Sequence, residues 1–180
     1  MNIQTPQIQK MISSIKPMNN LPRYSEEEQL YTNCYAYALG ITYPDYGKNF
    51  YYPGFTHATQ HSDSKSMIKC IEKDLTILGF KFRITDCTEF PIPDEDEYII
   101  KVFISNKTDQ MSNGDFHFVR RLPNGHWTHK IGWKEPPCLV EASDGEYKYF
   151  GYEPDDFVFL ETTTNIIYRY KPICYIGLSR

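Results

Sequence analysis

The stretch DFHFVRRLPNGHWTHKIG, residues 115–132, decides how this chain is read. Two segments of alternating apolar and polar residues flank Leu122-Pro123-Asn124-Gly125. Period-two alternation marks strands. Pro, Asn and Gly in that order suit a type I turn at Pro123-Asn124 with Gly125 left-handed, a three-residue hairpin loop closed by a bulge. That register pairs Leu122 with His126, Val119 with His129 and His117 with Ile131. His117 and His129 then share a face as diagonal neighbours, and Asp115 joins them. A two-residue Asn-Gly turn would put the two histidines on opposite faces. Pro123 favours the first arrangement.

Outward from this hairpin, period two recurs from residue 80 onward. FKFRIT (80–85), YIIKVFI (98–104), CLVEA (138–142), FVFLE (157–161) and the run from Ile166 to Leu178 read as strands. The first eighty residues read differently. Ile8, Met11, Ile12 and Ile15 fall at helical spacing behind Thr5 and Pro6, and Pro17 to Pro22 break the run. Glu26 to Glu28 make an acidic turn. Thr32 or Asn33 can cap a helix through Ala36, Ala38 and Leu39 that Gly40 ends. Residues 41–62 read as a long surface loop. Ser64 to Leu78 carries the clearest helical stripe, Met67, Ile68, Ile71, Leu75 and Leu78, stopped by Gly79. Helices first and strands after predict an α+β fold, with N-terminal helices packed on an antiparallel sheet. Residues 1–22 form a helical arm, and 23–180 a single domain.

Composition limits the function. The chain has 180 residues, net charge −4 and 16% aromatic side chains, among them fifteen Tyr and eleven Phe. Aromatics favour strands and furnish heavy core side chains. No basic stripe exists, so a nucleic-acid partner lacks electrostatic support. No apolar run approaches the ~20 residues that span a bilayer, and residues 1–20 lack the apolar centre of a secretory signal. The five cysteines, 34, 70, 87, 138 and 174, are odd in number and widely spaced. They read as reduced thiols of a cytoplasmic protein, although export as an effector is compatible with the same sequence. The sequon Asn106-Lys107-Thr108 reads as chance. No phosphate-binding glycine loop, dinucleotide fingerprint or serine-nucleophile elbow is present, and Cys and His spacings fit no common zinc pattern, so no cofactor or metal is expected.

Cys34 stands out by position. In the first turn of its helix the unpaired N–H groups stabilise a thiolate and can receive an oxyanion, with Gln29 as a second donor. A free cysteine is equally at home as a small buried hydrophobe. A thiol nucleophile needs a base, for which histidine is suited. His57 and His61 lie in the loop and read as solvated. His117 and His129 on adjacent strands make a base and an orienting group, or else a structural pair bonded to carbonyls.

Asn33-Cys34-Tyr35-Ala36-Tyr37-Ala38-Leu39, Pro53-Gly54, Asp115 to Arg120 and Gly125 to Gly132 together resemble a group of mostly uncharacterised microbial proteins with the pattern NCYAYAL, a Pro-Gly, then D-aromatic-H-aromatic-x-R and G-x-W-[ST]-H-K-x-G. The order of elements is similar to the papain-like cysteine hydrolases of the NlpC type. That resemblance implies Cys34 as nucleophile, His117 as base and His129 as orienting residue. It implies a cysteine-dependent amide hydrolase or acyl transferase, acting as peptidase, amidase or deamidase on a protein, peptide or peptidoglycan-like substrate. The residues around Cys34 differ from the Asp-Cys-Ser-Gly common in cell-wall enzymes. A rival assignment makes His129 the base and Asp144 its orienter. The reading from a different class is a non-catalytic module of a microbial effector or toxin, in which an aromatic face grips protein or glycan.

Overall fold

The computed structural model describes residues 5–16, 21, 23–43, 51–57, 59, 63–105, 115–132, 135–143, 148–155, 157–161 and 166–180. The sequon at Asn106, Asp144, His61 and most of the Pro17–Pro22 breaker lie outside the described residues. The chain is α+β. Helices α1 (Thr5–Ser14), α2 (Glu26–Tyr31), α3 (Cys34–Leu39) and α4 (Ser64–Leu78) precede β1 (Lys81–Thr85), β2 (Tyr98–Ser105), β3 (Phe116–Arg121), β4 (Trp127–Lys130), β5 (Pro137–Leu139), β6 (Glu141–Ser143), β7 (Lys148–Phe150), β8 (Phe157–Glu161) and β9 (Ile166–Ser179). An antiparallel sheet runs β1-β9-β2-β3-β4-β5, with β8 also paired to β9; β6 and β7 form a separate ribbon.

Helix α4 spans the residues its stripe predicts. Asp63 caps it in a reciprocal box with Ser66, and left-handed Gly79 ends it. Met67, Ile71, Leu75 and Leu78 are sealed from solvent in the main core. Each such burial is worth about 2 kcal/mol. The arm's α1 sends Met11 and Ile15 into the same core. Glu26 to Glu28, expected as a turn, instead open α2. Ser25 accepts from the Glu28 N–H while the Glu28 carboxylate takes the Ser25 N–H, a capping box that the Ser-x-x-Glu spacing encodes.

Alternation along the strands separates two faces. Ile100, Val102, Phe118, Cys174, Ile176 and Leu178 meet the helices. Ile99, Phe103, Val119, Trp127, Tyr170 and Tyr175 form a second core on the opposite face with Val140. That face is closed by Glu153 and Pro154, whose carboxylate and carbonyl each take the buried Lys101 ammonium at 2.8 Å. The expected strand 138–142 breaks at Val140. Its N–H bonds Trp127 and its carbonyl accepts from Gly151, so β5 stays in the main sheet while β6 leaves with β7. Lys148 to Phe150 was not legible as a strand, being only three residues long.

The largest departure is the expected surface loop 41–62. Among its described residues Ile41, Thr42, Tyr51, Phe55 and Thr56 are buried. Thr42 and Tyr43 are tied to Ser14, and the Gly54–Thr56 part is held by Asp74, an acidic residue on the inward face of α4. Its carboxylate accepts from the Gly54 N–H (2.6 Å), the Thr56 N–H (3.1 Å), the Thr56 hydroxyl (2.5 Å) and the Tyr35 hydroxyl (3.0 Å). One buried carboxylate thereby ties the Pro53-Gly54 turn, α3 and α4 together. Removing it strands several buried donors, each costing about 1–3 kcal/mol. Asp74→Ala should lose at least about 3 kcal/mol of stability in urea denaturation. A change under about 1 kcal/mol would show that water replaces the carboxylate there.

Candidate active site

Of the two residues the sequence offers as cap for α3, Asn33 takes the role. Its side-chain oxygen accepts from the N–H groups of Tyr35 and Ala36, each at 3.1 Å. Gly40 ends the helix in the left-handed conformation, and a Cβ there would meet the Lys16 carbonyl at 2.8 Å. All six side chains of α3 are buried. The Tyr35 hydroxyl reaches Asp74, and the Tyr37 hydroxyl donates to the Thr128 hydroxyl on β4 at 2.7 Å. Thr128 in turn donates to the Arg120 carbonyl on β3 at 3.0 Å. The helix is therefore pinned to the hairpin, and Cys34 at its start is pinned with it.

The Cys34 thiol meets backbone. It donates to the Phe116 carbonyl at 4.0 Å, and the N–H groups of Phe118 and Tyr35 point at the sulfur. The pairing of β3 with β4 stops at Val119–His129. The sulfur occupies the edge of β3 just beyond that point, against the peptide groups on either side of His117. Standard bond lengths then hold it within about 10 Å of the His117 ring. Among the described residues its hydrogen bonds run to backbone groups and to no imidazole.

The hairpin adopts the expected register at Leu122–His126 and Val119–His129, and its ladder ends before the expected His117–Ile131 pair. Gly125 is left-handed at φ 89, its N–H bonds the Leu122 carbonyl, the Leu122 N–H bonds the His126 carbonyl, and Val119 lies opposite His129. His117 Nε2 and His129 Nδ1 are 3.0 Å apart. Both rings are only 4% exposed. They lie on the face of Val119 and Trp127, away from the helices. The Tyr170 ring sits 6.1 Å from His117, and the Tyr170 hydroxyl donates to the Asp115 carboxylate. Asp115 thus takes the place expected for it, bound to Tyr170.

Electrostatics correct the sequence expectation at the thiol. The first turn of α3 was expected to lower the Cys34 pKa. Burial instead pushes it up to about 12, and Asp115 adds to the rise, against the smaller pull of the two N–H groups and of Lys130. Burial lowers His117 well below the usual imidazole value, with His129 adding to the fall, and lowers His129 to about 4. At neutral pH the thiol and both rings are uncharged. Asn33 also uses two of the N–H groups expected to serve an oxyanion, which leaves that of Cys34 itself in the first turn. Gln29, the expected second donor, gives its amide to the Tyr24 carbonyl at 3.2 Å.

His57, expected in solvent, lies 3.4 Å from the Asp74 carboxylate with its side chain 10% exposed. Lys130 is the residue that sequence reading passed over. It is fully enclosed on the helix side, its ammonium donates to the Gly132 carbonyl at 2.9 Å, and burial lowers its pKa to about 8. Its signal was present in the alternation Trp127-Thr128-His129-Lys130, where the hairpin register sends Thr128 and Lys130 to the face opposite the histidines. Among the described residues no group of three or more His, Cys, Asp or Glu is placed to hold a metal ion, and no helix is long and apolar enough to cross a membrane. No family model, curated protein or solved structure matches the chain.

A buried imidazole with a depressed pKa contributes stability that is complete above its unfolded value of 6.5 and is lost as pH falls toward its folded value, about 4 for His129. His129 alone should cost the fold about 2 kcal/mol between pH 7 and pH 5. Urea denaturation across that range checks this, and His129→Gln should flatten the slope. A wild-type stability independent of pH between 7 and 5 would contradict the burial of these rings.

Proposed function

We propose that this chain is a cysteine-dependent amide hydrolase or acyl transferase of papain-like organisation, with Cys34 as nucleophile, His117 as base and His129 as the residue that orients it. The observation that carries the reading is the 3.0 Å contact between His117 Nε2 and His129 Nδ1, beside the strand edge at which the thiol rests. A base must hold its proton-accepting nitrogen toward the thiol. Nδ1 of His117 is the ring nitrogen left to face the thiol once Nε2 engages His129. With Nε2 protonated and donating to His129, Nδ1 is the basic atom, and that hydrogen bond fixes the tautomer and orientation of the ring. Burial keeps both rings neutral, the state a base requires.

The thiol is neutral as well, so its proton leaves during attack rather than before it. Sulfur adds to the substrate carbonyl as the proton passes to His117, the Cys34 N–H meets the oxyanion, and the leaving amine takes the proton back. Peptide cleavage, deamidation and transfer to another amine share these steps. The substrate class is the amide of a protein, peptide or peptidoglycan-like polymer. Five unpaired cysteines suit a reducing compartment such as the cytoplasm, or that of a cell receiving an exported effector.

One observation favours the second reading, a non-catalytic module that binds protein or glycan. Cys34 is only 6% exposed, and its pKa of about 12 is that of a buried structural thiol.

Turnover separates the two. With a panel of peptide amides and amine-release detection, Cys34→Ser should lower kcat about a thousandfold or more while leaving Tm nearly unchanged. His117→Ala should do the same, and His129→Ala should lower kcat about ten- to a hundredfold. A Cys34→Ser variant as active as wild type would end the hydrolase reading. Activity lost with His129 but kept without His117 would move the base to His129.

A further inference from the structure

We propose that Lys130 is the charge partner of Cys34: its ammonium, enclosed on the helix face at the strand edge where the sulfur lies, stabilises the negative charge that develops on the sulfur as His117 takes the thiol proton. The proposal names a positioning residue for the reaction put forward above and rests on that reading.

The geometry comes from the hairpin. The β3–β4 ladder ends at Val119–His129, so Lys130 is the first residue of β4 beyond its last pair, as Phe118 is of β3. Phe118 is the residue whose N–H points at the Cys34 sulfur. Side chains alternate, so Lys130 shares the helix face with Thr128, which α3 grips through Tyr37 at 2.7 Å. The same helix thus sets sulfur and ammonium against one short stretch of hairpin. Lys130 is 0% exposed. Of its three N–H donors one goes to the Gly132 carbonyl at 2.9 Å, and the other two have no acceptor among the described residues. A wholly enclosed lysine that lacks a close carboxylate is costly to keep. A nucleophile that becomes an anion beside it accounts for its presence.

The charges facing the pair are few. Asp115 acts on the sulfur and raises its pKa, while Lys130 lowers it. Glu135 and Cys34 act on Lys130 and raise its pKa, against the larger effect of burial. The neighbouring His117 and His129 are neutral above pH 7, as their depressed values require. Between pH 7 and pH 10 Lys130 changes its charge, near pH 8. Its ammonium is present at neutral pH and absent at pH 10.

Iodoacetamide alkylation of the Cys34 peptide, followed by mass spectrometry, reads the thiolate without any need for turnover. In the wild-type protein the logarithm of the rate should climb with pH, flatten around pH 8 as Lys130 loses its proton, and climb again. Lys130→Met should alkylate about three- to tenfold more slowly at pH 7 and lose the flattening, and Lys130→Arg should restore the rate to within about twofold with no flattening. A straight line of unit slope from pH 7 to pH 10 in the wild-type protein would overturn the proposal, whether or not the variants fold. So would a folded Lys130→Met variant that alkylates at the wild-type rate. The expected alkylation profile in a chain that cleaves no amide would leave the ion pair standing and remove only the hydrolase.

Discussion

The register of the β3–β4 hairpin is the constraint on which the site depends. Left-handed Gly125 closes a three-residue loop, and that loop length places Val119 opposite His129. A strand has a side-chain period of two, so a shift of one residue on one arm would exchange every side chain between faces. In the observed register two imidazoles meet at 3.0 Å on one face, while Thr128 reaches α3 on the other. With a two-residue loop His129 would point into the helices and Thr128 and Lys130 into the second core. Neither the imidazole pair nor the anchor for the helix that carries Cys34 would survive.

A pleated strand sends Phe116 and Phe118 to one side and His117 to the other. A thiol presented by a helix on the first side cannot reach that imidazole through the sheet. It can do so only around an edge. The chain supplies an edge by ending the β3–β4 ladder at Val119–His129, and the backbone groups left over are those that meet Cys34. The thiol therefore does at this edge what a further pair of strand residues would otherwise do. This explains how one cysteine can be a core residue of α3 and still lie next to the peptide groups of His117. Its electrostatic state follows from the same place. Enclosure raises the thiol and lowers the imidazoles, so these three groups rest uncharged, and charge separation between them has to be created by the reaction itself.

The sequence was most legible where local chemistry and tertiary demand agree. The α4 stripe between Asp63 and Gly79 and the Pro123 to Gly125 turn each carry their own boundaries, and both folded as read. The capping box at Ser25 was equally local but was read as an acidic turn, because three consecutive glutamates draw attention to solvent rather than to the cap before them. The failures elsewhere have one source. Residues 41–62 look like surface because they are rich in Gly, Pro, Tyr and His, yet among the described ones Gly54 and Thr56 are held inside by a carboxylate from α4, remote in sequence. The Cys34 pKa failed for a related reason. Its position in a first turn was visible, but the burial that overrides the benefit of that turn belongs to the packed sheet.

Lys130 shows why charge is harder to read than hydrophobicity. On an alternating strand a lysine beside a histidine looks like the solvent-facing member of the pair. Here neither residue faces solvent, because the sheet is covered on both sides, by helices on one and by the segment carrying Glu153 and Pro154 on the other. In a sheet covered twice, alternation assigns a residue to one core or the other, not to core or water. The polar members of β3 and β4 therefore each need a specific partner. Thr128 has Tyr37, and His117 and His129 have each other. Of the enclosed polar side chains of β4, Lys130 is the one held mainly by its own turn, at Gly132, and the ionisable groups that act on it are the Cys34 thiol and Glu135. An interior this selective about its polar groups would be better served at that position by leucine or methionine unless a cation is needed there, and the thiol at the strand edge is the neighbour on the helix face that can become its anion.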